Sequence, residues 1–350
     1  MITTRPVNRH DIPELTTQFK RDESWARYIS SKLRHPDTWI HVAEQNGRLA
    51  GYVDMRVIRQ GQAGMPGRFR QGVRGLLGVP KLGGDDLIQP IRYGIIRDIF
   101  VCEPYRKQNV ATRLLRDCIQ ELQNRHTSEI RAELSPGNCA ALNLLRKHGF
   151  EPMSTLMHMR LDTQKKSYSS SIRPATQQDL PQLTELIRQE VLLQQQFAGC
   201  FQLASGVDWA AYTEVKLRNP NTEILVAEKN GQLTGYIDLQ LIRPGENGSP
   251  SLLKAGKKRL KQLLPGNRNA NTGQPPIGFI EDVFVKDSVR KTSLGLGVKL
   301  FRSGLEWFAA QGVREVQGTI WINNKNSLKV FQKLGSESVR LLMGTRVIDP

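Results

Sequence analysis

The chain has 350 residues, an apolar and aromatic content ordinary for a globular protein, and a formal net charge of +17. That length favours two domains, and the composition excludes a disordered polymer. No apolar run approaches the roughly 20 residues that span a bilayer, and Met1-Ile2-Thr3-Thr4-Arg5-Pro6 lacks the basic-then-apolar layout of a secretory leader. Cys102, Cys118, Cys139 and Cys200 contain no CxxC spacing, which argues against a zinc knuckle or a disulfide framework. The histidines form no ligand cluster either, so no metal is expected, and cytoplasmic residence is the default. The positive field attracts polyanions such as nucleic acid, an acidic membrane surface or a phosphorylated cofactor; the plainer reading is a solvated basic surface.

In chain order, a short strand from Ile2 to Arg5 leads to a helix opened by Asp11-Ile12-Pro13, a capping residue ahead of Pro. Helix continues toward Pro36. Two alternating apolar runs, Trp39 to Glu44 and Leu49 to Ile58, flank Asn46-Gly47, the strongest short signal for a hairpin. After an insert, a buried strand carries Ile95-Ile96-Arg97-Asp98-Ile99-Phe100-Val101. A polar loop, Tyr105 to Ala111, then opens a helix with Leu114, Leu115, Cys118, Ile119 and Leu122 at i, i+3, i+4 spacing. A strand from Ile130 to Leu134, a short helix from Asn138 to a Gly149 stop, and a closing strand pair complete the set.

The same series then repeats. Arg5-Pro6 and Asp11 return as Arg173-Pro174 and Asp179. Lys32-Leu33-Arg34-His35-Pro36 returns as Lys216-Leu217-Arg218-Asn219-Pro220, and the offset of 184 also relates Asp98 to Asp282. The second buried strand reads Phe279-Ile280-Glu281-Asp282-Val283-Phe284-Val285, and its helix carries Leu300, Phe301, Leu305 and Phe308. The expected domains are therefore 1–163 and 172–350, joined by a polar linker at 164–171. A strand entering a small-residue loop at a helix N-terminus makes a cradle for phosphate oxygens.

This pattern resembles the GCN5-related N-acetyltransferase superfamily, in two tandem copies. The family's loop, Gln/Arg-x-x-Gly-x-Gly/Ala, is matched by Arg106-x-x-Asn109-x-Ala111 and by Thr292-x-x-Gly295-x-Gly297. Its later Asn-helix-Gly signature is matched at Asn138, Ala141, Leu144, Leu145, Lys147 and Gly149, and again at Asn324, Ser327, Val330, Phe331, Lys333 and Gly335. The resemblance implies an α/β fold in each copy, a mixed, mostly antiparallel sheet with helices on both faces. It implies acetyl-CoA as cosubstrate, held at Val101, Arg106, Asn109, Ala111 and Asn138 in the first copy. In the second copy the corresponding residues are Val283, Phe284, Val285, Thr292, Gly295, Gly297 and Asn324. The reaction it implies is direct attack of an amine on the thioester.

An alkyl ammonium must lose a proton before it attacks, and a carboxylate in reach assists. Glu281 stands where family members often carry that base; its first-copy counterpart, Arg97, cannot serve as one. Chemistry is therefore expected in the second copy, the alternative for Glu281 being an edge-exposed carboxylate. Strand alternation predicts that Glu281 and Asp282 face opposite sides. Asp98 and Asp282 are read as structural, capping backbone or pairing with a basic side chain. The family's usual acid, a Tyr, is replaced by Leu145 and Phe331. Asn109 stands where Gly is expected but tolerates left-handed backbone.

Inserts at 60–93 and 244–278 are rich in Lys and Arg. The second interleaves leucines with Lys254, Lys257, Lys258, Arg259 and Lys261. They suit RNA, an acidic surface or an anionic substrate, or else a solvated flap. Two functions stay open: an N-acetyltransferase with an unidentified amine acceptor, or a non-catalytic acyl-CoA-binding or RNA-associated module on the same fold.

Overall fold

The computed structural model describes residues 2–18, 23–33, 35–60, 91–161, 172–198, 203–243, 275–290 and 295–347. The first repeat runs β1 (Ile2–Pro6), α1 (Asp11–Gln18), α2 (Glu23–Lys32), β2 (Thr38–Gln45), β3 (Arg48–Gln60), β4 (Ile91–Val101), α3 (Val110–Asn124), β5 (Glu129–Leu134), α4 (Cys139–Lys147) and β6 (Glu151–Arg160). The second runs β7 (Ile172–Pro174), α5 (Leu180–Ala198), α6 (Trp209–Leu217), β8 (Thr222–Lys229), β9 (Gln232–Ile242), β10 (Ile277–Val285), α7 (Leu296–Ala310), β11 (Glu315–Trp321), α8 (Lys325–Lys333) and β12 (Glu337–Arg346). Among the described residues, no helix is long and apolar enough to cross a membrane. The linker at 164–171 and most of both basic inserts, 61–90 and 244–274, lie outside the described residues.

Local chemistry explains the recurring sequence signs. Asn46-Gly47 and Asn230-Gly231 all have positive φ, from 52° to 73°, the twist that suits a two-residue hairpin turn. The repeated Arg and Asp form an ion pair that ties the first strand to the first helix. Arg5 donates twice to Asp11, at 2.7 and 2.7 Å, and Arg173 twice to Asp179, at 2.8 and 2.9 Å. The Arg173 guanidinium holds the Asp179 carboxyl at about 2.

The chain forms two compact units. The first holds Met1–Gln60, Pro90–Met153 and Arg340–Pro350, with strand order β1-β2-β3-β4-β5-β12. Its pairs are antiparallel except β4 with β5. Alternation along β3 sends Val53, Met55 and Val57 against Leu114, Leu115, Cys118 and Leu122 of α3. Tyr52 faces the other way, toward Leu15, Trp25 and Ile29 of α1 and α2. Burying each such side chain contributes roughly 1.5–3 kcal/mol.

The second unit includes Ser154–Val339, with strand order β6-β11-β10-β9-β8-β7. Its parallel pair is β10 with β11. Ile237, Leu239 and Leu241 pack under α7 and α8 against Leu300, Phe301, Phe308 and Phe331. Leu183, Leu186 and Ile187 of α5 are buried in the same unit.

Among the described residues, no closing strand pair forms within either repeat. Each repeat ends in one long strand, and that strand completes the sheet of the other repeat. β6 pairs antiparallel with β11, from Trp321 opposite Ser154 to Glu315 opposite Arg160. β12 pairs antiparallel with β5, from Leu341 opposite Leu134 to Arg346 opposite Glu129. The apolar sides follow this pairing: Met157 and Met159 join the core of Val316 and Ile320, and Met343 joins that of Ile130 and Ala132. Repeats and compact units therefore have different boundaries. The repeats meet between 163 and 172, whereas the units divide at 153/154 and at 339/340.

Candidate active site

In the second unit, β10 pairs in parallel with β11 from Ile277–Glu315 to Ile280–Gly318, and this register ends there. Both strands continue, to Val285 and Trp321. On its other side β10 pairs with β9, and that register slips between Ile280 and Asp282. Glu281 is the extra residue of this bulge. A bulge bends its strand and re-aims side chains, and here it sits where β10 and β11 cease to pair. The first unit has the same device. β4 leaves β5 after Ile96–Ala132, and the slip against β3 falls between Ile96 and Asp98, which makes Arg97 the bulged residue.

The bulge interrupts the alternation from which opposite faces for Glu281 and Asp282 were expected: Ile280 and Val283, three residues apart, both join the α7 core. The charges of Asp282 and Glu281 both favour the Lys216 ammonium. Asp282 is buried and accepts from Gln194 Nε2 at 2.7 Å and from Lys216 Nζ at 3.4 Å. Lys216 also pairs with Asp238, and Gln194 also donates to Glu190. Burial, together with the Asp282 charge, pushes the Glu190 carboxyl well above its ordinary value. Burial opposes charge on Lys216, yet Asp238, Tyr212 and Asp282 hold its ammonium well above the usual range. The reading of Asp282 as partner of a basic side chain agrees with this geometry; Asp98 instead accepts from the Tyr52 hydroxyl at 2.6 Å.

The helix that follows each bulged strand starts in the same way. Gly295 is the N-cap of α7 at φ 93°, and Asn109 the N-cap of α3 at φ 64°, both left-handed. Neither helix has a side-chain cap. The first amide bonds within the helices run from Lys299 N to Gly295 O and from Arg113 N to Asn109 O. The amides ahead of them, at Leu296, Gly297 and Val298 and at Val110, Ala111 and Thr112, point out of the helix end, where the dipole favours an anion. A Cβ added at Gly297 would meet nothing nearer than Val285 Cγ2 at 3.9 Å, so the start of α7 lies beside the end of β10.

By contrast, Asn138 and Asn324 use their side-chain oxygens as caps, accepting from Ala141 N at 3.1 Å and Ser327 N at 3.2 Å. Val283 and Val285 turn their side chains into the α7 core, and Phe284 packs against Tyr236 at 6.2 Å. Val101 packs against the α3 core, and Arg106 is exposed, its Nε donating to Val101 O at 3.3 Å. Thr292 lies outside the described residues. At the positions of the usual acid, Leu145 is buried and Phe331 packs edge-on to Phe301 at 4.5 Å.

Sequence reasoning passed over the residues around Asp282, although the repeat carried their signal. Tyr28, Lys32, Tyr52, Asp54 and Asp98 recur at the single offset of 184 as Tyr212, Lys216, Tyr236, Asp238 and Asp282.

These features can be set beside known proteins. The description "Acetyltransferase (GNAT) family" matches twice, over residues 6–150 and 190–336. An N-alpha-acetyltransferase of Sulfolobus acidocaldarius is 29% identical over 157 residues, which cover 45% of this chain and 77% of that protein. A GCN5-related N-acetyltransferase from Sphaerobacter thermophilus superposes with a TM-score of 0.52 at 15% identity, covering 100% of this chain and 98% of the other. The glucosamine N-acetyltransferase region of a fungal multi-domain β-N-acetylglucosaminidase also gives 0.52, at 11% identity, covering 98% of this chain and 38% of that one. The structural likenesses speak for the fold, and the doubled family match for descent: the chain belongs to the acetyltransferase (GNAT) family and is an N-acetyltransferase carrying that domain twice.

Proposed function

We propose that the second unit carries the chemistry, taking acetyl from acetyl-CoA to a primary amine with Glu281 as general base. The observation that carries this reading is the bulge, which sets Glu281 where β10 parts from β11, on the strand whose far end, at Val285, meets an uncapped helix start. The amides of Leu296, Gly297 and Val298 suit the pyrophosphate of acetyl-CoA. Bound there, the cofactor supplies an activated acyl carbon. Glu281 takes the proton of the attacking ammonium, directly or through one water, and the amine lone pair bonds to that carbon. The carbon–sulfur bond breaks, CoA leaves as thiolate, and the second proton of the attacking nitrogen passes to solvent. Phe331, in the acid's place, cannot protonate the sulfur, and the thiolate departs on its own stability. An α-amine, the acceptor position named for the Sulfolobus relative, is the first acceptor to try.

The test is calorimetric titration of acetyl-CoA into the full chain, paired with transfer to peptides bearing a free α-amine. A Gly297→Val variant, which fills the start of α7, is expected to lose transfer while keeping its fold. Full transfer by that variant would move the chemistry out of the second unit.

A further inference from the structure

The offset between the repeats is 168 at Arg5 and Arg173, but 184 from Trp25 and Trp209 onward. The second repeat has therefore gained residues between its first strand and α6, and the gain lies in a helix: α1 has 8 residues and α5 has 19. Gln18, the last residue of α1, corresponds at the earlier offset to Leu186, so Glu190, Gln194 and Phe197 lie on turns that α1 does not have. Those turns cross the place where β10 parts from β11. Gln194 Nε2 donates at 2.7 Å to Oδ1 of Asp282, on β10 just past the end of the parallel register. About one turn on, Phe197 O accepts at 3.4 Å from Nδ2 of Asn323, beyond the end of β11. α5 thus reaches one strand through a side chain. It reaches the end of the other through a carbonyl of its last turn, which no helical amide can satisfy.

The added turns change how the bulge is held. In the first unit the carboxylate after the bulge, Asp98, accepts from Tyr52 on the neighbouring strand, and Tyr28 donates to Asp54, each at 2.6 Å. In the second unit Asp282 is held from two helices, by Gln194 of α5 at Oδ1 and by Lys216 of α6 at Oδ2, and Lys216 also takes Asp238. The tyrosines persist but lose these carboxylates: the hydroxyls of Tyr212 and Tyr236 are buried and make no hydrogen bond among the described residues. Unpaired buried hydroxyls and gathered buried charges lower stability, so stability does not account for the rearrangement. What it provides is rigidity at one point. A bulge loosens the ladder at its extra residue, and here the next residue along the strand is clamped at both carboxylate oxygens.

We propose that Gln194 is a positioning residue for Glu281, a role that rests on the reading of Glu281 as base. By fixing Asp282, with Lys216 as the second tie, Gln194 fixes the bulge and keeps the preceding carboxylate aimed at the opening between β10 and β11. The growth of α5 thereby belongs to the chemistry of the second unit and not only to its packing.

The experiment is single-turnover transfer from acetyl-CoA to a peptide with a free α-amine, by the full chain, in a double-mutant cycle of Gln194→Met and Glu281→Gln. Methionine keeps the length of the side chain and removes the donor. Alone, Gln194→Met should lower the rate about 10- to 100-fold, the cost of a misplaced catalytic group, with the acetyl-CoA dissociation constant from calorimetry unchanged. In the Glu281→Gln background it should lower the residual rate by no more than about twofold, because no base is left to aim. Gln194→Ala, a good helix former, should behave alike and serves if the methionine is not accommodated. Equal loss in both backgrounds, loss that comes with weakened acetyl-CoA binding, or a parental rate in both Gln194 variants beside a slow Glu281→Gln would overturn the positioning role alone. A parental rate in Glu281→Gln would instead overturn the base, and the positioning role with it.

Discussion

Glu281 and Arg97 occupy the same bulge in corresponding strands, one a carboxylate and the other a guanidinium. The backbone device was retained through the duplication while the group it presents reversed its charge. A shared fold thus presents a carboxylate in one unit and a guanidinium in the other, and the difference rests on single side chains rather than on architecture.

The buried cluster under α5 and α6 has a signature in pH. The Glu190 pKa is raised well above the ordinary 4.5, first by burial and then by Asp282. The folded chain therefore holds a proton that the unfolded chain releases. Stability should fall as pH rises above about 4.5, until the folded pKa is passed. In Glu190→Gln this slope should become shallower, the remainder coming from other buried carboxyls such as Asp282 and Glu133, and the variant should match or exceed the parent at neutral pH. Urea midpoints measured across the pH range check the sign; a parent whose stability rises over that window would contradict it.

The left-handed residues before α3 and α7 predict a matched pair of substitutions. Asn109→Val and Gly295→Val place β-branched side chains at φ 64° and 93°, and each should cost roughly 1–3 kcal/mol. Asn109→Gly should be tolerated, since Gly adopts that conformation freely. Denaturant midpoints of the three variants, compared with the parent, decide it. A silent Gly295→Val would mean that the start of α7 is not held left-handed in solution.

Strand exchange predicts a displaced effect of truncation. Removal of Arg340–Pro350 strips β12 from the edge of β5. Amide exchange should then quicken over Glu129–Leu134, in the first repeat, although the deleted residues belong to the second. Exchange mass spectrometry reads this directly. Protection lost only within the second repeat would argue that β12 closes its own repeat.

Much of this was legible in the sequence. Asn-Gly turns, the i, i+3, i+4 spacing of Leu114, Leu115 and Cys118, and the constant offset gave the element order and the duplication, because turn chemistry and helical periodicity are local. The exchange of β6 and β12 was not legible. An alternating strand such as Ser154–Arg160 states which face is buried, not which edge it joins. The bulge escaped too, because an extra residue shows only against a partner strand, and alternation does not carry across it from Ile280 to Asp282. The Tyr–Lys–Asp constellation was visible as recurrence, but its members lie on α6, β9 and β10 and meet only in the folded unit.

The proposed chemistry rests on Glu281 acting as base in the second unit. The most direct measurement is the single-turnover rate of acetyl transfer by the full chain as Glu281→Gln and as Arg97→Gln, at saturating acetyl-CoA. Loss of a general base predicts a fall of about 10²–10⁴-fold in Glu281→Gln with acetyl-CoA binding retained, and little change in Arg97→Gln. An unchanged rate in Glu281→Gln, or a fall only in Arg97→Gln, would contradict it.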